Sequence, residues 1–444
     1  MPGSVAARLR IRPTGPTERR LLTTVAIDAT GGGLFLAGAT LFYARVAGLS
    51  GGQIGVGLSV MGLVALAATV PNGALVDRIG ARRALIALHL WRALWCSALA
   101  FVDSFWQFLT VLVVLGLAEH AGMPALQTYV GSAFGDAERV GVMARVQVVK
   151  NTGFLVGALL AAVAVGTGRD LAYRSLLLGD ALSFLIAAAL MVSVREVGGK
   201  GRRGGPRAPL APFRNARFLL LTCCNGSLQL NLSVLVIGMP LWVTRATEAP
   251  EAIAPLLIAV NTVIAISLQV PMSRGAETVP GAGRHMRRAG VALALMCGTL
   301  TLASWVPPAA AVALMLASVV LHTLGEIWHA SGGWGLQFAL SPEAERGSYA
   351  AAYSLGPTAE GMVGPTLVAG GVVAAGAAGW TALAVLFLAA GAGAHTLAVR
   401  AAAPPSTASA SASASASAAA AEVTAPDRPR AAPAGTSGDP ATAR

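Results

Sequence analysis

Long apolar stretches alternate with short polar ones along nearly the whole chain. Segments 21–44, 53–72, 84–102, 105–131, 143–165, 172–194, 217–243, 253–272, 287–305, 309–338, 348–375 and 378–399 are rich in Ala, Leu, Val and Gly. Each approaches or exceeds the roughly 20 apolar residues that cross a bilayer. Backbone groups find no water there, so each stretch is predicted to be a transmembrane helix, twelve in all. Their Gly and Ala content suits close helix packing. The basic residues gather in the connections. With 1–20 inside, the outer connections hold only Arg45, Arg169, Arg174 and Arg245, and nearly all other Lys and Arg fall on the inner side. That bias predicts a multi-pass plasma-membrane protein with both termini cytoplasmic.

Composition agrees. Of 444 residues 55% are hydrophobic and 12% charged, against about 25% charged in soluble domains, and the mean hydropathy is +0.66. The net charge of +12 reflects orientation and excludes a nucleic-acid partner, because the bases sit in short loops. Cys96, Cys223, Cys224 and Cys297 fall inside predicted spans, so no disulfide framework or metal site is expected. The first apolar stretch outruns a signal peptide's core and is expected to be retained. Five regions follow: a basic cytoplasmic N-terminus (1–20), an N-terminal six-helix bundle (21–194), a basic flexible linker (195–216), a C-terminal six-helix bundle (217–399) and a tail (400–444). The linker includes GGKGRRGGPR at 198–207, and the tail is rich in Ala, Ser and Pro and expected to be disordered. The two bundles look related. Ala137-Glu138-Arg139 recurs as Ala344-Glu345-Arg346, and at the same spacing Glu119 meets Glu326 and Gly157 meets Gly364. Such matches in order point to a parallel repeat.

Residues Gly73 to Arg83 read GALVDRIGARR and join the second and third spans. Gly73 and Gly80 free the backbone for a tight turn. The order Gly, three residues, acid, base, any residue, Gly, any residue, two bases resembles the signature between helices 2 and 3 of the major facilitator superfamily of transporters. Gly73, Asp77, Arg78, Gly80, Arg82 and Arg83 fill its fixed positions. With the twelve spans, basic linker and half repeat, the resemblance covers about 21–399. It implies an all-α membrane protein of twelve transmembrane helices in two pseudo-symmetric six-helix bundles. It also implies a cavity lined by helices 1, 4, 7 and 10, and a conformational latch made by the loop's acid and bases against neighbouring helix ends. Within the superfamily the chain looks most like the drug-efflux branch of proton antiporters. It departs from that branch at Glu119 and His120, where an Arg-centred motif is usual. It departs again in the fifth helix, where Gly153 and Gly157 lack the usual Gly-Pro pair; Gly364-Pro365 stands in the eleventh instead.

An ionisable group at the centre of a span costs about 2.5–3.5 kcal/mol on insertion scales, so one that is retained faces a cavity or a partner. In the tenth span His322, Glu326, His329 and Gly333 share one helical stripe, with Trp328 and Trp334 nearby. They read as a proton-coupling and substrate surface, in which Glu326 takes up a proton and the histidines relay it, or as a helix-packing network. In the fourth span Glu119, Met123 and Gln127 form a stripe beside His120, and the family fold places Glu119 opposite Glu326. Glu119 is equally a coupling or a packing residue, and His120 a structural histidine. Asp28 in the first span, a further candidate for proton coupling, is expected either to pair with Lys150, at the start of the fifth, in a structural or gating contact, or to reach the headgroups. Asn225, Gln229 and Ser233 in the seventh bond substrate or neighbouring helices. Arg92 and Asp180, in the third and sixth, are expected to form a structural pair. Asn72 and Asn261 are too isolated to assign.

These features predict a secondary active transporter working by alternating access. The first reading is proton-coupled efflux of a small amphipathic organic compound, by a monomer, through a cavity with Trp, Met and Phe beside few charges. The rival is proton-coupled uptake of a metabolite, and a more distant one is a non-transporting sensor or scaffold. No HExxH, nucleophile-elbow or Walker motif occurs, so neither an enzyme nor direct ATP coupling is expected, and no cofactor or metal.

Overall fold

The computed structural model describes residues 13–194, 211–250 and 253–402, without the side chains at 37, 40, 41 and 255. Most of the predicted N-terminal arm, linker residues 195–210 and the tail beyond 402 lie outside the described residues. Every regular element among the described residues is helical. The long helices are α1 (Pro16–Arg45), α2 (Gly51–Ile79), α3 (Ala81–Leu99), α4 (Phe105–Ala133), α5 (Asp136–Gly166), α6 (Asp170–Ser193), α7 (Ala216–Ala246), α8 (Ile253–Met272), α9 (Val279–Ala303), α10 (Pro308–Leu340), α11 (Arg346–Thr366) and α12 (Ala377–Ala402).

Eight of these, α2, α4, α5, α6, α7, α9, α10 and α12, are long and apolar enough to cross a membrane. The others fall short for visible reasons. α3 carries Arg82, Arg83, His89 and Arg92, the apolar run of α8 is Leu256–Met272, and α1 and α11 are rich in Gly and Thr or Ser. Large apolar side chains line the outside of the bundle, among them Leu155, Leu159, Leu160 and Val163 on α5. Such a surface fits lipid and not water.

Local sequence explains the ends and breaks. Ser50 and Gln53 form a capping box at the start of α2. α2 then runs on to Ile79, past the expected end of its span, so Gly73 is helical and the turn into α3 is Gly80 alone, at φ 88°. That φ is open to glycine and strained for other residues. α4 is interrupted at His120–Ala121. Pro124 cannot donate to the carbonyl of residue 120 and crowds it, which breaks the helix at that point. α7 passes through a π turn at Val234–Gly238, just before Pro240, and α11 continues into a second π turn at Leu367–Val373, just after Pro365. Residues Ala211–Arg214, within the expected flexible linker, form a short helical turn.

α1 packs on α5 and α6, α3 on α6, and α2 on α4. In the later half α10 lies between α8 and α9, and α7 packs on α11. Small residues set these approaches. A Cβ on Gly157 would collide with the Thr30 carbonyl oxygen and lie 2.9 Å from Gly33 Cα. A Cβ on Gly391 would lie 2.7 Å from the Met286 carbonyl oxygen, between α12 and α9. Glu18 and Arg145 form a buried ion pair that fixes α1 to α5, and Glu18 also accepts from the Thr14 amide and hydroxyl at 2.7 Å.

Candidate functional site

The α2–α3 turn sits where the two halves meet. Asp77, near the end of α2, accepts from the Gly347 and Ser348 amides at 2.6 and 2.8 Å and from the Ser348 hydroxyl at 2.7 Å. It caps the N-terminus of α11, where free N–H groups and the helix dipole favour an anion. Arg82 donates to the carbonyls of Met191 and Val192 at the C-terminal end of α6, the complementary position for a cation. Gly73 lets α2 approach α11, because a Cβ there would stand 2.5 Å from that of Ala351 and 2.7 Å from the Gly347 carbonyl oxygen. Gln337 of α10 donates to Gln127 of α4 at 2.9 Å, and Phe338 and Arg346 pack against Gly131. α5 also packs on α8, with Val142 and Met143 in one apolar cluster with Val270. The two halves are thus fastened at the end that carries the α2–α3 turn.

Above this floor lies a cavity of about 430 Å³. Glu119, Met123, Gln127, Asn225, Gln229, Glu326, His329 and Trp334 all line it, so most of the expected site comes together. Glu326 accepts from Asn261 of α8 at 2.9 Å, and Asn261 also donates to Thr323 at 3.0 Å. Asn261, unassigned from sequence, is therefore the partner of the expected coupling carboxylate. His329 bonds Asn225 at 2.8 Å through Nε2, and Tyr353 donates to the same amide oxygen at 2.8 Å. His322 is buried. Its Nε2 meets the Asn231 carbonyl at 2.9 Å, and its Nδ1 lies 4.0 Å from Glu326.

Three expectations are corrected. Ser233 does not line the cavity; its hydroxyl donates to Glu360 of α11, a buried carboxylic acid that the sequence reading passed over. The helix breaks at Leu230, so the i, i+4, i+8 stripe from Asn225 turns away before Ser233. Trp328 also leaves the cavity, with the Arg288 guanidinium 6.0 Å from its ring. The lining is richer in amides than in aromatic groups: Gln127, Gln147, Asn225, Gln229, Asn231 and Gln269 accompany Trp334 and Tyr353, and no Phe is among them.

A second cavity, of about 310 Å³, lies within the earlier half and shares Glu119, His120, Met123 and Lys150 with the first. Its walls bring together Asp28, His89 and Arg92. The expected pairs rearrange here. Asp28 lies 3.7 Å from His89 Nδ1, with Lys150 beyond 4.0 Å, and the carboxylate nearest Arg92 is that of Glu119, at 4.0 Å, with Asp180 farther off. Arg92 lies over the Phe184 ring at 4.3 Å, and Asp180 takes the Cys96 thiol at 3.7 Å. His89 and Glu360 were open to the rule that found Glu326, since each is an ionisable group in an apolar run.

Comparison with known families now bears on this geometry. The model of the Major Facilitator Superfamily matches residues 21–365. The chain belongs to that superfamily. Solved structures share the transporter's fold at low identity. A bacterial homologue of the iron transporter ferroportin, in an outward-facing state, superposes with TM-score 0.70 at 15% identity, covering 87% of this chain and 99% of that one. The proton:xylose symporter XylE gives 0.60 at 15%, covering 83% and 94%. FucP, in the outward conformation, gives 0.63 at 12%, covering 86% and 98%. No curated protein matches the sequence.

Proposed function

We propose that this transporter carries out proton-coupled efflux of a small amphipathic organic compound by alternating access. In this reading it is a monomer of two six-helix bundles, 21–194 and 217–399, with twelve spans and both termini in the cytoplasm. The observation that carries the proposal is the relation of latch to cavity. Asp77 ties the two halves together at one end. Glu326 stands in the cavity beyond, about one-third exposed and held by Asn261. A carboxyl that reaches water from one side only exchanges its proton with that side. Release of the latch would turn it to the other, and coupling needs such a difference between states. Amphipathic cargo fits a wall of amides beside Met123, Trp334 and Tyr353.

The test is accumulation of a compound panel in inverted vesicles under an imposed pH gradient. The proposal expects gradient-dependent uptake into such vesicles, abolished by a protonophore. The amide-rich wall is what favours the rival reading, uptake of a polar metabolite by symport, and it predicts gradient-driven accumulation in right-side-out vesicles instead. Transport indifferent to the gradient in either orientation would sink both.

A further inference from the structure

The geometry points to an anion subsite at Lys150, which takes the acidic head of an amphipathic substrate. The inference rests on the reading of these cavities as the substrate's and adds the charge that the substrate carries. Lys150 lies on α5 at the wall common to both cavities. Among the described residues no carboxylate lies within 4.0 Å of its ammonium. Its near neighbour is the Phe154 ring, 5.9 Å away. The other charges of the smaller cavity are engaged differently. Arg92 has Glu119 at 4.0 Å and the Phe184 face at 4.3 Å, and Asp28 has His89 at 3.7 Å. Lys150 is the cation with no carboxylate in contact, Asp28 acting on it only from beyond 4.0 Å, in a space of about 310 Å³ whose remaining wall includes Leu88, Phe154, Phe184 and Met191. An ammonium placed in a low-dielectric cavity with no carboxylate in contact is costly. A carboxylate removes that cost, and an aliphatic or aromatic body suits the Phe and Leu surfaces beside it. Asp28 and Glu119 in the same walls disfavour each further negative charge, so a single acidic group fits better than two.

The experiment uses the purified full-length protein and three probes of one shape: 4-phenylbutyrate, 4-phenylbutanamide and 4-phenylbutylamine. Binding is read by scintillation proximity or by the shift in thermal unfolding. The acid is expected to bind about tenfold or more tightly than the amide and the amine, the effect of one charge-assisted contact. Lys150→Gln should abolish the preference and Lys150→Arg keep it. An acid that binds no better than the other two, or not at all, overturns the proposal, and this comparison needs no variant to fold. So does a preference that survives Lys150→Gln. Loss of gradient-driven transport with the head-group preference intact would instead count against the export reading alone.

Discussion

At the scale of single residues, the proposed coupling group is Glu326. It stands in the central cavity with Asn261 on one side and His322 on the other, 4.0 Å away. Glu326→Gln keeps its shape and its bond to Asn261 but cannot ionise. The expected result in proteoliposomes is loss of pH-driven uptake with substrate binding retained. Glu119→Gln should be milder, because Glu119 already has Arg92 as a counter-ion at 4.0 Å. Wild-type response to the gradient in Glu326→Gln would make Glu326 structural and move the coupling site to Asp28 or Glu119. The carboxylates of the site were legible because an acid in an apolar run stands out. Their partners were not: Asn261 lies on another helix, and nothing in its own span distinguishes it. That Arg92 meets Glu119 and not Asp180 at ion-pair distance was hidden for a related reason. Matching depth in two helices fixes height, but rotation about each axis decides which carboxylate faces the guanidinium.

Between elements, the close approaches are made by glycine, and their cost can be measured. Gly157 brings α5 against α1 so closely that a methyl group would strike the Thr30 carbonyl and crowd Gly33. Backbone atoms cannot step aside as a side-chain tip does, so Gly157→Ala should destabilise by about 1–3 kcal/mol. Gly166, at the end of the same helix, has nothing within 4 Å of its added Cβ, and Gly166→Ala should be neutral. Thermal unfolding in detergent separates the two. Equal melting temperatures would show that the α1–α5 seam yields. Helix positions were largely readable, since apolar runs and turn residues mark them; the expected span 253–272 coincides with α8 (Ile253–Met272). Crossings were less readable. The spacing of Gly153 and Gly157 was visible and the family resemblance set the fifth helix beside the first, but which residues of the first they would meet was not. The continuation of α2 to Ile79 was hidden because its last turn is polar, and polarity there reflects the end of the apolar run and not the end of the helix.

For the whole molecule, the closed end depends on few contacts, and Asp77 makes three of them across the halves. The signature residues were plain in the sequence. What they hold became apparent only when α11 was seen to present its N-terminus to α2, because the contact joins residues 270 positions apart. Hydrogen bonds to a charged group contribute about 1.5–3 kcal/mol each. Asp77→Asn keeps one acceptor oxygen but loses the charge and one accepting arm, so the closed arrangement should weaken by at least one such contact. That shifts the balance between conformations about tenfold to a hundredfold. The expected protein is folded and membrane-inserted, with reduced transport, because a contact between halves is removed and the core of each is untouched. Electron–electron distance measurements between spin labels at Leu75 on α2 and Arg274 after α8, in a cysteine-free background, read the opening directly. Wild type should give one short distance, and Asp77→Asn a population at longer separation. The same short distance in the variant, with normal transport, would mean that Asp77 only caps α11, and that the closed end is held by Gln127–Gln337 and the apolar packing of α5 on α8.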